Sequence, residues 1–308
     1  MTSSVPTFEP FPERAQALRE ARAILRQHGK SYYFSTCLFP RRLQEATWAV
    51  YAFVRLPDEI VDSSPQSTPE EIALVKEKID AFCADWRRAY TTGHSPSPVL
   101  KLAAQTWHEY NIPFDYSIAF LDAMLQDTWK SDYADYADLE GYMYGSAAVI
   151  GLMMSHLVGF ESARTLDYAR ALGNAMQLTN FLRDIDEDFQ ERGRVYLPRD
   201  EMARFGVSRD DIAARRFSDS FRELMRFQIE RADGLYEFAN EGITQLNPEG
   251  RFAVATASTL YRAILRQLER QDLNPFAGRA GTSLAQKLAL LRHARALSRF
   301  APPAPATA

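Results

Sequence analysis

The chain has 308 residues, 46% of them hydrophobic, and a formal net charge of −4. That length and apolar content allow a large buried core and argue against intrinsic disorder. The mild acidity, with no dominant basic stripe, gives no support to a nucleic-acid partner, and two cysteines, Cys37 and Cys83, are too few for a disulfide framework and fit a reduced, cytoplasmic protein.

Along the chain, residues 1–10 lack the basic start and apolar run of a signal peptide and read as a flexible N-terminus. Residues 12–28 place Ala17, Leu18, Ala21, Ile24 and Leu25 along one helical face, which Gly29 stops. After Pro40, a helix over 42–62 carries Ala46, Val50, Phe53 and Val54, with Pro57 inside it as either a kink or a new start. The loop SPQSTPEE follows, with Thr68 as N-cap and Pro69 at the first helical position. Helices are expected at 69–91, 97–110, 115–131, 138–158 and 161–190. The most apolar stretch, SAAVIGLMMSHLVG at 146–159, is shorter than the roughly 20 residues that span a bilayer, and reads as a buried core helix. A peripheral membrane association stays open. An irregular piece, RGRVYLPRDEMARFGVS, precedes helices at 209–216, 218–245, 249–272 and 283–299. The tail at 301–308, APPAPATA, reads as disordered. No segment alternates with period two and no internal repeat is visible, so the expected architecture is all-α, with one helical domain over 11–300.

Two stretches carry the chemistry. RLPDEIVD holds Asp58 and Asp62, and NFLRDIDEDF holds Asp184 and Asp188, with Arg55 and Arg183 close on the N-terminal side. Residues four apart share a helix face, so each pair points two carboxylates one way. A single such pair is more often a solvated surface. Here both follow strongly apolar turns, ATWAVYAFV and AMQLTNFL, which suits the wall of a cavity better. Asn180 extends the second face by one turn and Gln177 by nearly another. Carboxylate oxygens suit Mg²⁺, which takes one or two of them with waters and phosphates, and the nearby arginines suit a diphosphate. None of the five histidines follows a glutamate by three residues, as a di-iron bundle requires, and no Cys/His spacing fits zinc. Phosphate-binding and dinucleotide-binding glycine motifs are absent.

These motifs resemble those of the squalene and phytoene synthase family, the trans-isoprenyl diphosphate synthases that join prenyl chains head to head. HGKSYYFSTCLFP (28–40), AVYAFVRLPDEIVD (49–62), GYMYGSAAVIG (141–151) and QLTNFLRDIDEDFQERGRVYLP (177–198) occur in the family's order. The resemblance covers residues 25 to 295 and implies an isoprenoid-synthase-type helical bundle around a central cavity. Carried over residue by residue, it implies that Asp58, Asp62, Asn180, Asp184 and Asp188 organise Mg²⁺, with Mn²⁺ as a substitute. It implies that Lys30, Ser31, Tyr51, Arg55, Gln177, Arg183, Tyr261 and Arg279 contact the diphosphates, and that Tyr142 lies near the reacting carbons; which of Tyr142 and its neighbour Tyr144 faces them, and which only packs, stays open. Phe34, Val149, Ile150, Met153 and Met154 are candidate walls. The first motif departs from the family by reading Asp58-Glu59 where many members have two aspartates.

The chemistry so implied is condensation of two prenyl diphosphates through a cyclopropylcarbinyl diphosphate. The GRVYLP segment looks most like the phytoene-synthase version, which points to two C20 geranylgeranyl diphosphates, carotenoid biosynthesis and no NADPH. The alternatives are a squalene, dehydrosqualene or presqualene diphosphate synthase using C15 farnesyl diphosphate, and a non-catalytic helical assembly or binding protein. No partner protein is evident in the sequence.

Overall fold

The computed structural model describes residues 11–64 and 68–299. The expected N-terminal arm, the C-terminal tail and part of the loop before Pro69 lie outside the described residues. Helices make up the framework: α1 (Arg14–His28), α2 (Lys30–Thr36), α3 (Arg41–Asp62), α4 (Pro69–Thr92), α5 (Pro98–Glu109), α6 (Phe114–Gln126), α7 (Tyr136–Met143) and α8 (Val149–Val158). There follow α9 (Arg164–Arg183), α10 (Ile185–Arg192), α11 (Arg199–Arg204), α12 (Arg209–Ala213), α13 (Asp219–Glu241), α14 (Pro248–Arg270) and α15 (Leu284–Leu297). No strand forms among the described residues, and an isolated antiparallel bridge pairs Phe160 with Leu246. No helix among them is long and apolar enough to cross a membrane.

Local chemistry explains the boundaries. Thr68 and Glu71 form a reciprocal capping box with Pro69 behind it, and α4 ends at Gly93 in the left-handed conformation, φ 74°. Ser97, Ser208 and Ser218 cap α5, α12 and α13 in the same sense. The core gathers around aromatic residues from four helices. The Phe53 ring lies 4.5 Å from Trp86 and 4.9 Å from Trp107, and the Trp86 indole donates to Ser117 at 2.8 Å. Burying each such ring contributes roughly 1.5–3 kcal/mol, so α3, α4, α5 and α6 are locked as a unit behind the first acidic motif.

Three expectations are corrected by the structure. Gly29 does not stop the first helix for long, because Lys30–Thr36 turns at once into α2. The helix expected over 138–158 contains a π-helical turn, Tyr144–Ala148, between α7 and α8. The extra residue lets this wall press against α9: a Cβ on Gly173 would sit 2.6 Å from the Ala147 carbonyl oxygen, and one on Gly151 2.4 Å from that of Ala169. The helix expected over 161–190 breaks at Asp184, whose φ −106° and ψ 14° separate α9 from α10. The amides of Asp184 and Asp188 still bond the carbonyls four residues back, which is why the periodic pattern runs through the break unmarked.

Candidate active site

The first acidic arm stands on the last turns of α3. Proline at 57 removes the N–H that would bond the Phe53 carbonyl, yet the helix continues through it to Asp62. Pro57 is therefore an internal residue of one helix. Arg55, one turn earlier, forks onto Asp58 with one nitrogen and onto Glu59 with the other. Glu59 is thus committed to Arg55 on the outer side. Burial and then the neighbouring Asp62 carboxylate push Asp58 up to about 6, against the pull of Arg55.

The second arm stands on the break between α9 and α10. Because Asp184 leaves helical geometry, the adjacent Arg183 clasps it through two nitrogens, with Nε at 2.8 Å. Arg279, from the segment before α15, reaches the same carboxylate with Nε at 3.0 Å and Glu187 with Nη1 at 3.1 Å. One turn on, burial and then Asp184 push Asp188 up to about 7.

The two arms meet. Arg192, at the end of α10, places Nε 3.2 Å from Asp62 of the first arm and Nη1 3.6 Å from Asp188 of the second. Arg194 lies 3.4 Å from Asp62 and is anchored from behind by donating to the Asp127 carbonyl at 3.1 Å. Beneath Arg194 is a buried aromatic nest. Tyr142 donates to Asp127 at 2.9 Å, and Tyr196 stacks on Phe181 at 3.9 Å. The other Asp127 carboxylate oxygen has no hydrogen-bond partner, and burial pushes the group up to about 7.

Below the arms opens an apolar cavity enclosing about 1230 Å³ of empty space, its open mouth included. Its lining runs up α3 through Val50, Tyr51 and Val54, and up α9 through Met176, Gln177 and Asn180. Asp58 and Asp184 follow those residues by one turn, about 6 Å further along each helix. The carboxylates therefore rim one end of a greasy chamber. Ile150 and Met154 line it, as do the rings of Tyr32, Tyr168 and Tyr261, whereas Phe34, Val149 and Met153 do not.

The structure thus gathers Asp58, Asp62, Asp184, Asp188, Arg55, Arg183 and Arg279 by direct contacts, and sets Tyr51, Gln177, Asn180 and Tyr261 on the chamber wall. Lys30 and Ser31 begin α2, whose next residue, Tyr32, stacks on Tyr51 at 5.8 Å. Tyr142 lies outside the chamber lining, in the nest with Asp127, and Tyr144 is 40% exposed, so neither ring lines the chamber.

The sequence pattern of the squalene/phytoene synthase family matches residues 25–291. This chain belongs to the squalene/phytoene synthase family. Within it, the chain is 34% identical over 295 residues to phytoene synthase 2, chloroplastic, of Solanum lycopersicum, covering 94% of this chain and 93% of that one. It is 32% identical over 304 residues to the phytoene synthase of Arthrospira platensis, covering 94% and 96%. A crystal structure of a dehydrosqualene synthase in complex with ligand superposes with a TM-score of 0.83 at 26% identity, over 94% of this chain and 98% of that one. The isoprenoid-synthase all-α fold expected from the resemblance is the fold observed.

For a squalene/phytoene synthase, the donor set at the mouth fits Mg²⁺. Among the described residues no three His, Cys, Asp or Glu side chains close into a cage. Mg²⁺ needs none, because it holds its waters and completes its octahedron with one or two carboxylates and substrate phosphates. Facing carboxylates beside an open, cation-rimmed mouth offer that arrangement. Sequence reasoning missed Arg192, Arg194 and Asp127. The Arg-x-Tyr-x-Pro run at 194–198 was visible, but its partner Asp62 lies 132 residues earlier. Lys287 was missed too: it sits 6.0 Å over the Phe34 ring, and burial and then the nearby Lys30 hold it below its ordinary value.

Proposed function

We propose that this protein is a Mg²⁺-dependent prenyltransferase that condenses two geranylgeranyl diphosphates head to head, through a cyclopropylcarbinyl diphosphate, to phytoene in carotenoid biosynthesis. The observation that carries the reading is the pair of cation-braced acidic arms rimming one end of an apolar chamber. Two phytoene synthases at 34% and 32% identity over nearly the whole chain support the C20 substrate and a reaction without NADPH.

Asp58 and Asp62 on one side, with Asp184, Asp188 and Asn180 on the other, would hold Mg²⁺, for which Mn²⁺ can substitute. When bound there, Mg²⁺ would supply Lewis-acid neutralisation of the departing diphosphate. Arg55, Arg183, Arg279 and Lys30 supply donors to the phosphate oxygens, which steadies the leaving group as its charge grows. Gln177 and Tyr51 mark the level at which the polar head gives way to the prenyl tail. Below them the apolar wall excludes water, so that the allyl cation meets the double bond of the second chain instead of a water molecule, and closure of the cyclopropane releases one proton. Tyrosines on the wall offer π-systems that can stabilise this cation; burial raises the Tyr261 phenol, keeping it protonated and neutral. Loss of the second diphosphate then permits rearrangement to the linear product with release of a proton.

The test is incubation of the purified protein with C15 or C20 diphosphate and Mg²⁺, with and without NADPH, followed by analysis of extracted hydrocarbons. Phytoene from the C20 substrate without NADPH is expected. A C15-derived product alone would move the assignment to dehydrosqualene or squalene synthesis, and no product at all would favour a binding protein.

A further inference from the structure

Arg192 and Arg194 both touch Asp62, but they are held differently. Arg194 is 8% exposed and fixed from behind by the Asp127 carbonyl. Arg192 is 23% exposed, and each of its ion-pair contacts among the described residues is a carboxylate: Asp62, Asp188 and Glu191. Two of these, Asp62 and Asp188, are part-buried and stand on different arms. The third, Glu191, points outward at 59% exposure, with its Oε2 3.4 Å from the Arg192 Nη1 that also reaches Asp188. The residue closes α10, next to Gly193 at φ 64°, so its side chain leaves the helix where no following turn confines it.

We propose that Arg192 is an exchangeable counter-ion: its guanidinium ties the two arms together before loading and is displaced onto Glu191 when divalent metal takes Asp62 and Asp188. This rests on the reading of the mouth as a metal and diphosphate site. Like charges facing across the mouth repel, and a planar fork spanning both arms holds their spacing. Arg192 sits on Oδ1 of both Asp62 and Asp188, so a metal ion that draws on those oxygens competes with it, and each lowers the other's occupancy by one reciprocal factor. Glu191 gives the released cation a solvated resting place, which makes the exchange less costly. A consequence is that metal alone binds weakly and metal with diphosphate binds well, because phosphate oxygens add ligands that the arginine does not contest.

The experiment measures Mn²⁺ binding directly, from the electron paramagnetic resonance of the unbound ion, on wild type and variants without prenyl substrate. Arg192→Gln is expected to tighten Mn²⁺ binding by roughly three- to tenfold, as when two partly exposed ion pairs are removed from competition. Glu191→Gln is expected to weaken it by about twofold. In the metal-free protein Arg192→Gln lowers the melting temperature, and saturating Mn²⁺ erases the difference. Should Arg192→Gln fail to fold, Arg192→Lys serves: it keeps a charge but not the fork, and a smaller tightening supports the exchange. Unchanged or weaker Mn²⁺ binding in the folded Arg192 variants overturns it. A wild type that binds no Mn²⁺ even with inorganic pyrophosphate overturns the metal reading itself.

Discussion

On the first acidic arm, Arg55 rises from the same helix as the carboxylates it neutralises and reaches them at i+3 and i+4. On the second, Arg183 clasps the very next residue, and Arg279 arrives from 95 residues away to hold the other side of Asp184. Asp58 keeps 35% of its side chain exposed, against 12% for Asp184. An unbroken helix can present a carboxylate but cannot enclose it. Ending α9 at Asp184 opens the backbone so that two guanidiniums can approach one carboxylate, and the second arm becomes the more rigid of the two. The same pair of aspartates is therefore a local device on one wall and a tertiary one on the other.

Asparagine at either anchor tests whether the arms share one task. Asp184→Asn and Asp58→Asn should each lower kcat by at least about a hundredfold, since each removes charge from the group that stabilises the departing diphosphate. Far-ultraviolet circular dichroism should stay helical for both. The difference between the arms should show in the melting temperature, with Asp184→Asn shifting it more because Arg183 loses its carboxylate partner and Arg279 keeps Glu187 alone. Wild-type turnover by either variant would break the pairing of the arms.

The contrast also reaches into pH. Asp58 is pushed up to about 6 and Asp188 to about 7, both above their values in an unfolded chain. A carboxylate raised in the folded state gives stability that is full below its unfolded value, near 4, and lost as pH climbs through its folded value. The metal-free protein should thus melt progressively lower between about pH 4 and pH 7. Metal binding needs the deprotonated forms, so Mn²⁺ affinity should rise roughly tenfold or more over about pH 5.5 to 8. Asp188→Asn should remove the upper part of the rise and Asp58→Asn the lower part. A flat profile in the wild type would show that the arms do not titrate in this range.

How much of this could be read from the sequence follows the same division. The first arm was legible nearly whole, since Arg55, Asp58 and Asp62 belong to one period of one helix. So were the helical class and the capped start at Thr68. The brace at Asp184 was not, because an i to i+4 hydrogen-bond pattern crosses the break without a glycine or proline to mark it. Arg279 could be named only by resemblance, and Arg192 and Arg194 lay in a stretch read as irregular. Ion pairs made across 130 residues of chain leave no periodic trace. Tyr142, like Arg279, could be named only by resemblance, and no pattern in the sequence foretold the Asp127 carboxylate to which its hydroxyl donates.

If the second arm is the tertiary one, its distant brace should matter measurably. Arg279→Gln should lower kcat/KM by roughly three- to tenfold, mostly through KM, because the guanidinium is 57% exposed and Arg183 still holds Asp184. Arg183→Gln, whose side chain is 16% exposed, should cost several times more. Equal losses would mean that the two arginines serve the diphosphate alike and that bracing Asp184 adds nothing to Arg183.

The smallest expected effect is at Pro57, the residue that most sets the first arm apart. Alanine there restores the N–H that the Phe53 carbonyl lacks and relieves the ring's clash with the preceding turn. It also loosens the unfolded chain and leaves a small gap, since Pro57 is buried. These terms oppose one another, so the melting temperature should move by no more than a few degrees. The helix already runs unbroken from Arg41 to Asp62, so Asp58 and Asp62 should keep their aim and turnover should fall by less than about threefold. A loss beyond about tenfold, with the protein still folded, would show that the proline's bend directs the carboxylates. The first arm would then depend on a backbone device after all, as the second depends on the break at Asp184.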